Sequence, residues 1–182
     1  FRVEAFKPAV FEVKAQALKE NFLAGEKFKA AIEGWYLFGA PMAGSRADWT
    51  LRLEPGSYSP PGYEDFSFGS YEDHRGFEGR QAGSGAQELD SKGKAEAEAE
   101  LPANLPGAGA IRATLEAGGT DPERQRLFGR AGAWVHRADM YFGLKASGGF
   151  LDAGKPWSAE IVTVKPEGGH LAGIKGEAKL IK

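Results

Sequence analysis

The chain is predicted to be all-β: an antiparallel seven-stranded β-sandwich followed by the start of a second sandwich of the same kind. Three observations predict it. Apolar and polar residues alternate with period 2 in several short runs. No run keeps a helical period over a useful length, and 26 glycines with 10 prolines favour many tight turns. Residues 24–53 reappear without a gap as residues 153–182, an offset of 129. That is too long for a solenoid repeat and right for one whole domain.

In the first copy Ala24-Gly25 leads into Phe28, Ala30 and Ile32, then Gly39, Ala43-Gly44 and Leu51. In the second, Ala153-Gly154 leads into Trp157, Ala159 and Ile161, then Gly168, Ala172-Gly173 and Leu180. The division that follows is residues 1–136 as one β-sandwich domain and 137–182 as the N-terminal part of a truncated second.

The first strand is Phe11, Val13, Ala15 and Ala17 alternating with Glu12, Lys14 and Gln16. The next runs through Phe28, Ala30, Ile32, Gly34, Tyr36 and Phe38; its far end also carries Trp35 and Leu37, so that part is expected to be covered on both sides. Gly39-Ala40-Pro41-Met42-Ala43-Gly44 has the glycine and proline that a reversal needs, and Ala47, Trp49, Leu51 and Leu53 follow as a strand, so this pair reads as a β-hairpin.

Residues 55–85 have no period and are rich in Gly, Ser, Pro, aromatics and acids. They read as a long decorated loop with one strand near Phe77–Gln81. Lys94–Leu101 (KAEAEAEL) has the composition of a surface helix, but its strict alternation between Asp90-Ser91-Lys92-Gly93 and Leu101-Pro102 favours a strand. Its charged side reads as a solvated face that discourages edge pairing. Ile111, Ala113 and Leu115 form another strand, and Arg124–Val135 the last, with a bulge expected at Gly129 or Gly132. The second unit opens with Met140, Phe142 and Leu144, continues through Trp157–Val164, and ends in a strand over Ile174–Ile181. Three strands do not make an independent sandwich, so this tail is expected to be marginally stable.

The chain has 182 residues, a formal charge of −2 and no cysteine, with a pI near 6.0. Lys and Arg are scattered among acids, which gives no electrostatic case for nucleic acid or for direct contact with an anionic membrane. Without cysteine there is no disulfide, thiolate nucleophile or Cys-ligated zinc. No apolar stretch approaches the ~20 residues that span a bilayer. The chain does not start with Met, which leaves a processed front or a piece of a longer protein; the second is the expectation.

Nothing in the residues spells out a reaction, and no catalytic, cofactor-binding or metal residue is assigned. His74, His136 and His170 fall in a loop, near a strand end and in a turn, none with a second histidine at metal-ligand spacing. There is no G-x-S-x-G, Walker loop, H-E-x-x-H or N-glycosylation sequon. Gly107-Ala108-Gly109 leads into a strand and reads as a turn. One cluster is open to two readings: Tyr58, Tyr63, Glu64, Asp65, Phe66, Phe68, Tyr71, Glu72, Asp73 and His74. Four carboxylates and several aromatics suit a calcium loop or a sugar-stacking surface. Because the acids fall in adjacent pairs, the favoured reading is a loop pinned to the sandwich by its aromatics, with the acids in water. Trp35, Trp49, Trp134 and Trp157 sit in strand patterns as core or interface residues; Trp35 and Trp134 fit no inward face and are expected between domains.

Several segments together resemble the bacterial alpha-2-macroglobulin family. They are Phe1-Arg2-Val3-Glu4-Ala5-Phe6-Lys7-Pro8 running into Phe11-Glu12-Val13, Ala24-Gly25-Glu26, and Tyr36-Leu37-Phe38-Gly39-Ala40-Pro41-Met42-Ala43-Gly44. Further ones are Leu89-Asp90-Ser91-Lys92-Gly93-Lys94-Ala95, and Val135-His136-Arg137-Ala138-Asp139. The Tyr-Leu-Phe-Gly-Ala-Pro turn with the preceding Phe-Glu-Val strand is the most specific part; the 55–85 loop matches nothing in the pattern. The resemblance implies macroglobulin-like sandwiches, immunoglobulin/fibronectin-like in architecture, within a large exported bacterial peptidase trap. Such a trap rearranges when a bait region is cut, and many members hold an internal Cys–Gln thioester. It implies a periplasmic parent anchored to the inner membrane as a lipoprotein. The partners implied are neighbouring macroglobulin-like domains and, through the full-length protein, target peptidases. No thioester can lie within these residues, since cysteine is absent, and the matching motifs are structural, so no functional residue is carried over. The implied role is non-catalytic scaffold; the alternative is a carbohydrate- or surface-binding tandem sandwich of an adhesin type that uses the 55–85 loop.

Overall fold

The computed structural model describes residues 9–69, 77–105, 109–147 and 156–177. Ten strands follow one another: β1 (Phe11–Ala17), β2 (Asn21–Leu23), β3 (Lys27–Tyr36), β4 (Arg46–Pro55), β5 (Arg80–Glu88), β6 (Lys94–Glu100), β7 (Ile111–Thr120), β8 (Arg126–His136), β9 (Tyr141–Ala146) and β10 (Ala159–Val164). Three sheets result, with strand orders β1-β3-β6, β2-β8-β7-β4-β5 and β10-β9. All pairings are antiparallel except β2 with β8.

The first two sheets form the sandwich. Alternation puts Phe28, Ala30 and Ile32 of β3 and Ala97 and Ala99 of β6 inward. They face Leu51 and Leu53 of β4, Ile111, Ala113 and Leu115 of β7, and Ala133 and Val135 of β8, all in one core. The segment KAEAEAE is strand β6, as its alternation requires. It is entered from a turn in which the Asp90 carboxylate accepts from Lys92 N and Lys94 N, each at 2.8 Å, while Gly93 takes φ +73°. Outward on the same sheet, Lys27 and Lys29 reach Glu98 at 2.6 and 3.0 Å, and Lys94 reaches Glu33 at 2.5 Å. These cross-strand pairs fix the register of a face that is otherwise solvated.

Four expectations are corrected. The Gly39–Gly44 turn does not close a hairpin: β3 pairs with β1 and β6, whereas β4 pairs with β5 and β7. It carries the chain from one sheet to the other, and the buried Met42 plugs the end of the core. The strand placed near Phe77–Gln81 is the longer β5, Arg80–Glu88, so the loop ends earlier than residue 85. The bulge lies not at Gly129 or Gly132 but in β5, where Ala82 is the extra residue opposite Leu51 and Arg52 of β4; β7 and β8 pair without a register shift. Gly129 is glycine because a Cβ there would overlap the Val13 carbonyl of β1, whereas the Arg112 guanidinium that lies over Gly132 is the end of a flexible side chain. The sandwich also holds an eighth strand, the three-residue β2.

The third sheet repeats the first. Adding 129 to both members of Ala17↔Ala30 gives Ala146↔Ala159, and the whole β9–β10 register follows β1–β3 in this way. The turns repeat too. Tyr36 N donates to Ala40 O and Gly39 N to Tyr36 O; Lys165 N donates to Gly169 O and Gly168 N to Lys165 O. The bridge Trp35↔Pro41 recurs as Val164↔His170, and Gly39 and Gly168 take φ +94° and +88°. Beyond this, residues 174–177 form no strand, and 178–182 lie outside the described residues, as do Tyr71, Glu72, Asp73 and His74. In the first copy the matching strand β4 is held between β5 and β7. Counterparts of those two strands would fall beyond residue 182.

Candidate functional site

A cluster of polar and aromatic groups sits where β8 ends and β9 begins. The parallel pairing of β2 with β8 sets Asn21 opposite Trp134 and Leu23 opposite His136, tied by Trp134 N to Glu20 O and Ala24 N to His136 O, both 2.8 Å. His136 is fully buried. Its Nε2 lies 2.8 Å from Asn21 Oδ1 and its Nδ1 2.6 Å from the Tyr141 hydroxyl. An amide oxygen only accepts, so Nε2 carries the proton and Nδ1 accepts from Tyr141. Burial lowers the imidazole pKa from 6.5 to about 4, with Glu167 opposing. Burial also holds the Tyr141 and Tyr58 hydroxyls above their ordinary range.

Tyr58 comes from the loop after β4. Its ring lies 4.8 Å from His136 and 5.1 Å from Trp134, and its hydroxyl donates to Pro166 O at 2.5 Å. Gly56 leaves the room that the Trp134 ring fills, and the Arg112 guanidinium lies 5.0 Å from the same ring. The aromatic chain continues from Tyr141 to Phe68, Phe66 and Tyr63. Ser67 and Leu144 exchange backbone bonds of 2.9 and 3.0 Å, and Lys145 reaches Asp65 at 3.1 Å. The described part of the loop is therefore pinned by its aromatics, to the β9–β10 sheet as well as to the sandwich. Glu64 and Asp65 are exposed. The Glu64 carboxyl is held below the usual range by backbone N–H groups, Gly62 among them.

Both nitrogens of His136 are engaged, and among the described residues no group of three or more His, Asp or Glu can hold a metal ion. What the cluster does is bind the β9–β10 sheet to the sandwich. Trp134 packs on Tyr58, Gly56 and Arg112, all residues of the sandwich and of its loop after β4. Trp35 is only half-buried, next to the β3 turn. Trp49 is core, whereas Trp157 is 40% exposed. One open face of β9–β10 carries Phe142, Leu144 and Ile161, the counterparts of Val13, Ala15 and Ile32 on the inward face of β1 and β3. Beside them Ile174 helps enclose a trough of about 530 Å³. His136 escaped the sequence reading because its partners lie 5 and 115 positions away, and a single histidine at a strand end carries no local signal.

The model of the bacterial alpha-2-macroglobulin MG5 domain matches residues 11–121, more than half of the chain. The chain belongs to the bacterial alpha-2-macroglobulin family. A curated relative, an alpha-2-macroglobulin homolog of Nostoc sp., is 36% identical over 69 residues, which is 38% of this chain and 4% of that protein. Salmonella alpha-2-macroglobulin reacted with methylamine superposes with a TM-score of 0.69 at 20% identity, over 93% of this chain and 12% of that one. The native conformation of the Escherichia coli protein gives 0.67 at 21% identity, over 92% and 11%; its porcine-elastase-activated form gives 0.70 at 20%, over 90% and 15%. The family sandwich is thus shared, and coverage of 93% has to run past His136 into the β9–β10 sheet. The chain spans a small part of the length of each relative.

Proposed function

We propose that this chain is non-catalytic scaffold in a broad-range peptidase inhibitor of the alpha-2-macroglobulin type. The observation that carries the reading is the joint: buried polar and aromatic groups are spent on holding one sheet pair to a complete sandwich. In this reading residues 1–136 are one macroglobulin-like domain and 137–182 open the next, whose core face, at Phe142, Leu144 and Ile161, is covered by further strands of the parent chain. Rigid joints of this kind let domains move as bodies when a bait is cut. The partners are neighbouring macroglobulin-like domains and, through the whole protein, the peptidases it traps. We place the parent outside the cytoplasm, in the periplasm and anchored to the inner membrane.

The test is made on the full-length parent. Mixed with a broad-range endopeptidase, it should protect a large protein substrate while small peptide substrates are still cleaved, and cell fractionation should find it with periplasm-facing inner membrane. Full cleavage of the large substrate at excess parent would contradict the reading. Glycan binding by the 182-residue chain that is lost in Tyr63→Ala and Phe66→Ala would instead support the adhesin alternative.

A further inference from the structure

The two copies of the repeated turn share their hydrogen bonds and differ in what surrounds them. The second copy, Lys165–His170, is seated. Pro166 is buried, its carbonyl accepts from the Tyr58 hydroxyl, and a Cβ at Gly168 would overlap the Pro61 carbonyl. The socket that receives it belongs to the preceding sandwich: Tyr58 and Pro61 of the loop after β4, and His136 at the end of β8. The first copy, Tyr36–Pro41, is bare. Leu37, the counterpart of Pro166, is 65% exposed and Phe38 is 79% exposed. Nothing lies within 4 Å of where a Cβ on Gly39 would stand. The tip is nevertheless held in shape, since Phe38 stacks on Tyr36 with centroids 5.2 Å apart and Leu37 N donates to Val10 O.

We propose that the Leu37–Phe38–Gly39 turn is the plug that joins this sandwich to a macroglobulin-like sandwich preceding it in the parent chain. The socket it enters has the chemistry of the one seen here: an aromatic hydroxyl that donates to the Leu37 carbonyl, rings that cover Leu37, and a main-chain carbonyl against Gly39. Glycine at this position serves the positive φ and the close approach at once. A second copy of this chain does not fit as the occupant, because the socket at Tyr58 and Pro61 is filled by the chain's own turn. Leu37 and Phe38 stand where buried Pro166 and exposed Glu167 stand in the seated copy, so Leu37 is the side chain that enters the socket while Phe38 lies at its rim. The proposal rests on the scaffold reading and names the surface by which it is continued.

Hydroxyl-radical footprinting of the parent chain, compared with the 182-residue chain, reads the result at Leu37, whose counterpart Pro166 is buried, and not at Phe38, whose counterpart Glu167 is exposed. Leu37 should be oxidised severalfold more slowly in the parent, and Gly39→Asp in the parent, which fills the close approach, should restore the rate while the β-sheet signal in circular dichroism is kept. Equal oxidation of Leu37 in the two chains would overturn the proposal. So would a dimer of the 182-residue chain in sedimentation that Leu37→Asp abolishes, which would make a second copy the occupant. Trapping of peptidase by the parent is read separately: trapping with Leu37 unprotected removes the plug and leaves the function standing, and protection without trapping does the reverse.

Discussion

At His136 one side chain ties three segments together, because its two nitrogens bond Asn21 of β2 and Tyr141 of β9. Burial favours the neutral imidazole there, in which Nε2 donates to Asn21 and Nδ1 accepts from the Tyr141 hydroxyl. The unfolded chain takes up a proton near pH 6.5, whereas the folded chain resists until about pH 4. Between these values the unfolded state binds more protons, so stability is full above pH 6.5 and falls as pH drops toward 4. The loss is on the order of 3 kcal/mol at most. Chemical denaturation at a series of pH values should show this slope in the native chain and a flatter one in His136→Gln, whose amide does not titrate. Equal slopes would mean that His136 is not the group that responds.

At the scale of the strand, β5 shows why composition alone hid an element. Arg80–Glu88 (RQAGSGAQE) carries no large apolar residue, so alternation finds nothing to count. The space above it is filled from elsewhere: a Cβ at Gly85 would come within 2.9 Å of the Trp49 ring, and one at Gly83 within 2.7 Å of Ala99 Cβ. Gly85→Ala should therefore destabilise the sandwich by about 1–3 kcal/mol through overpacking, read as a lower denaturation midpoint. An unchanged midpoint would mean that Trp49 moves aside freely. Where each strand faces the core with its own apolar residues, as in β1, β3, β4, β6 and β7, the pattern was legible from the sequence. The β3–β4 turn had its reversal chemistry read correctly and its topology wrongly, because glycine and proline specify a change of direction and not whether the chain stays in one sheet. The glycines of β8 carried a spacing signal, but the Val13 carbonyl that demands glycine at 129 comes from another strand. The joint itself was not legible: the partners of His136 are brought together by the fold alone.

For the whole molecule, the repeat seen in the sequence survives as geometry. The β9–β10 pair keeps the register, turn bonds and glycine conformations of the β1–β3 pair. One of its faces meets Phe68, since a Cβ at Gly143 would fall 2.5 Å from that ring. The other is open, with Phe142 50%, Leu144 44% and Ile161 53% exposed. Two strands with one uncovered apolar face are marginal alone and gain stability when the face is buried. Amide hydrogen exchange at Phe142, Leu144 and Ile161, in this chain and in one extended by the parent residues that follow, tests that view most directly. In the 182-residue chain these amides should exchange well before those of β7 and β8. In the longer chain their protection should rise to the level of β1 and β3. Protection equal to that of β7 and β8 without the extension, or no gain with it, would contradict the account of β9 and β10 as the opening of a second sandwich.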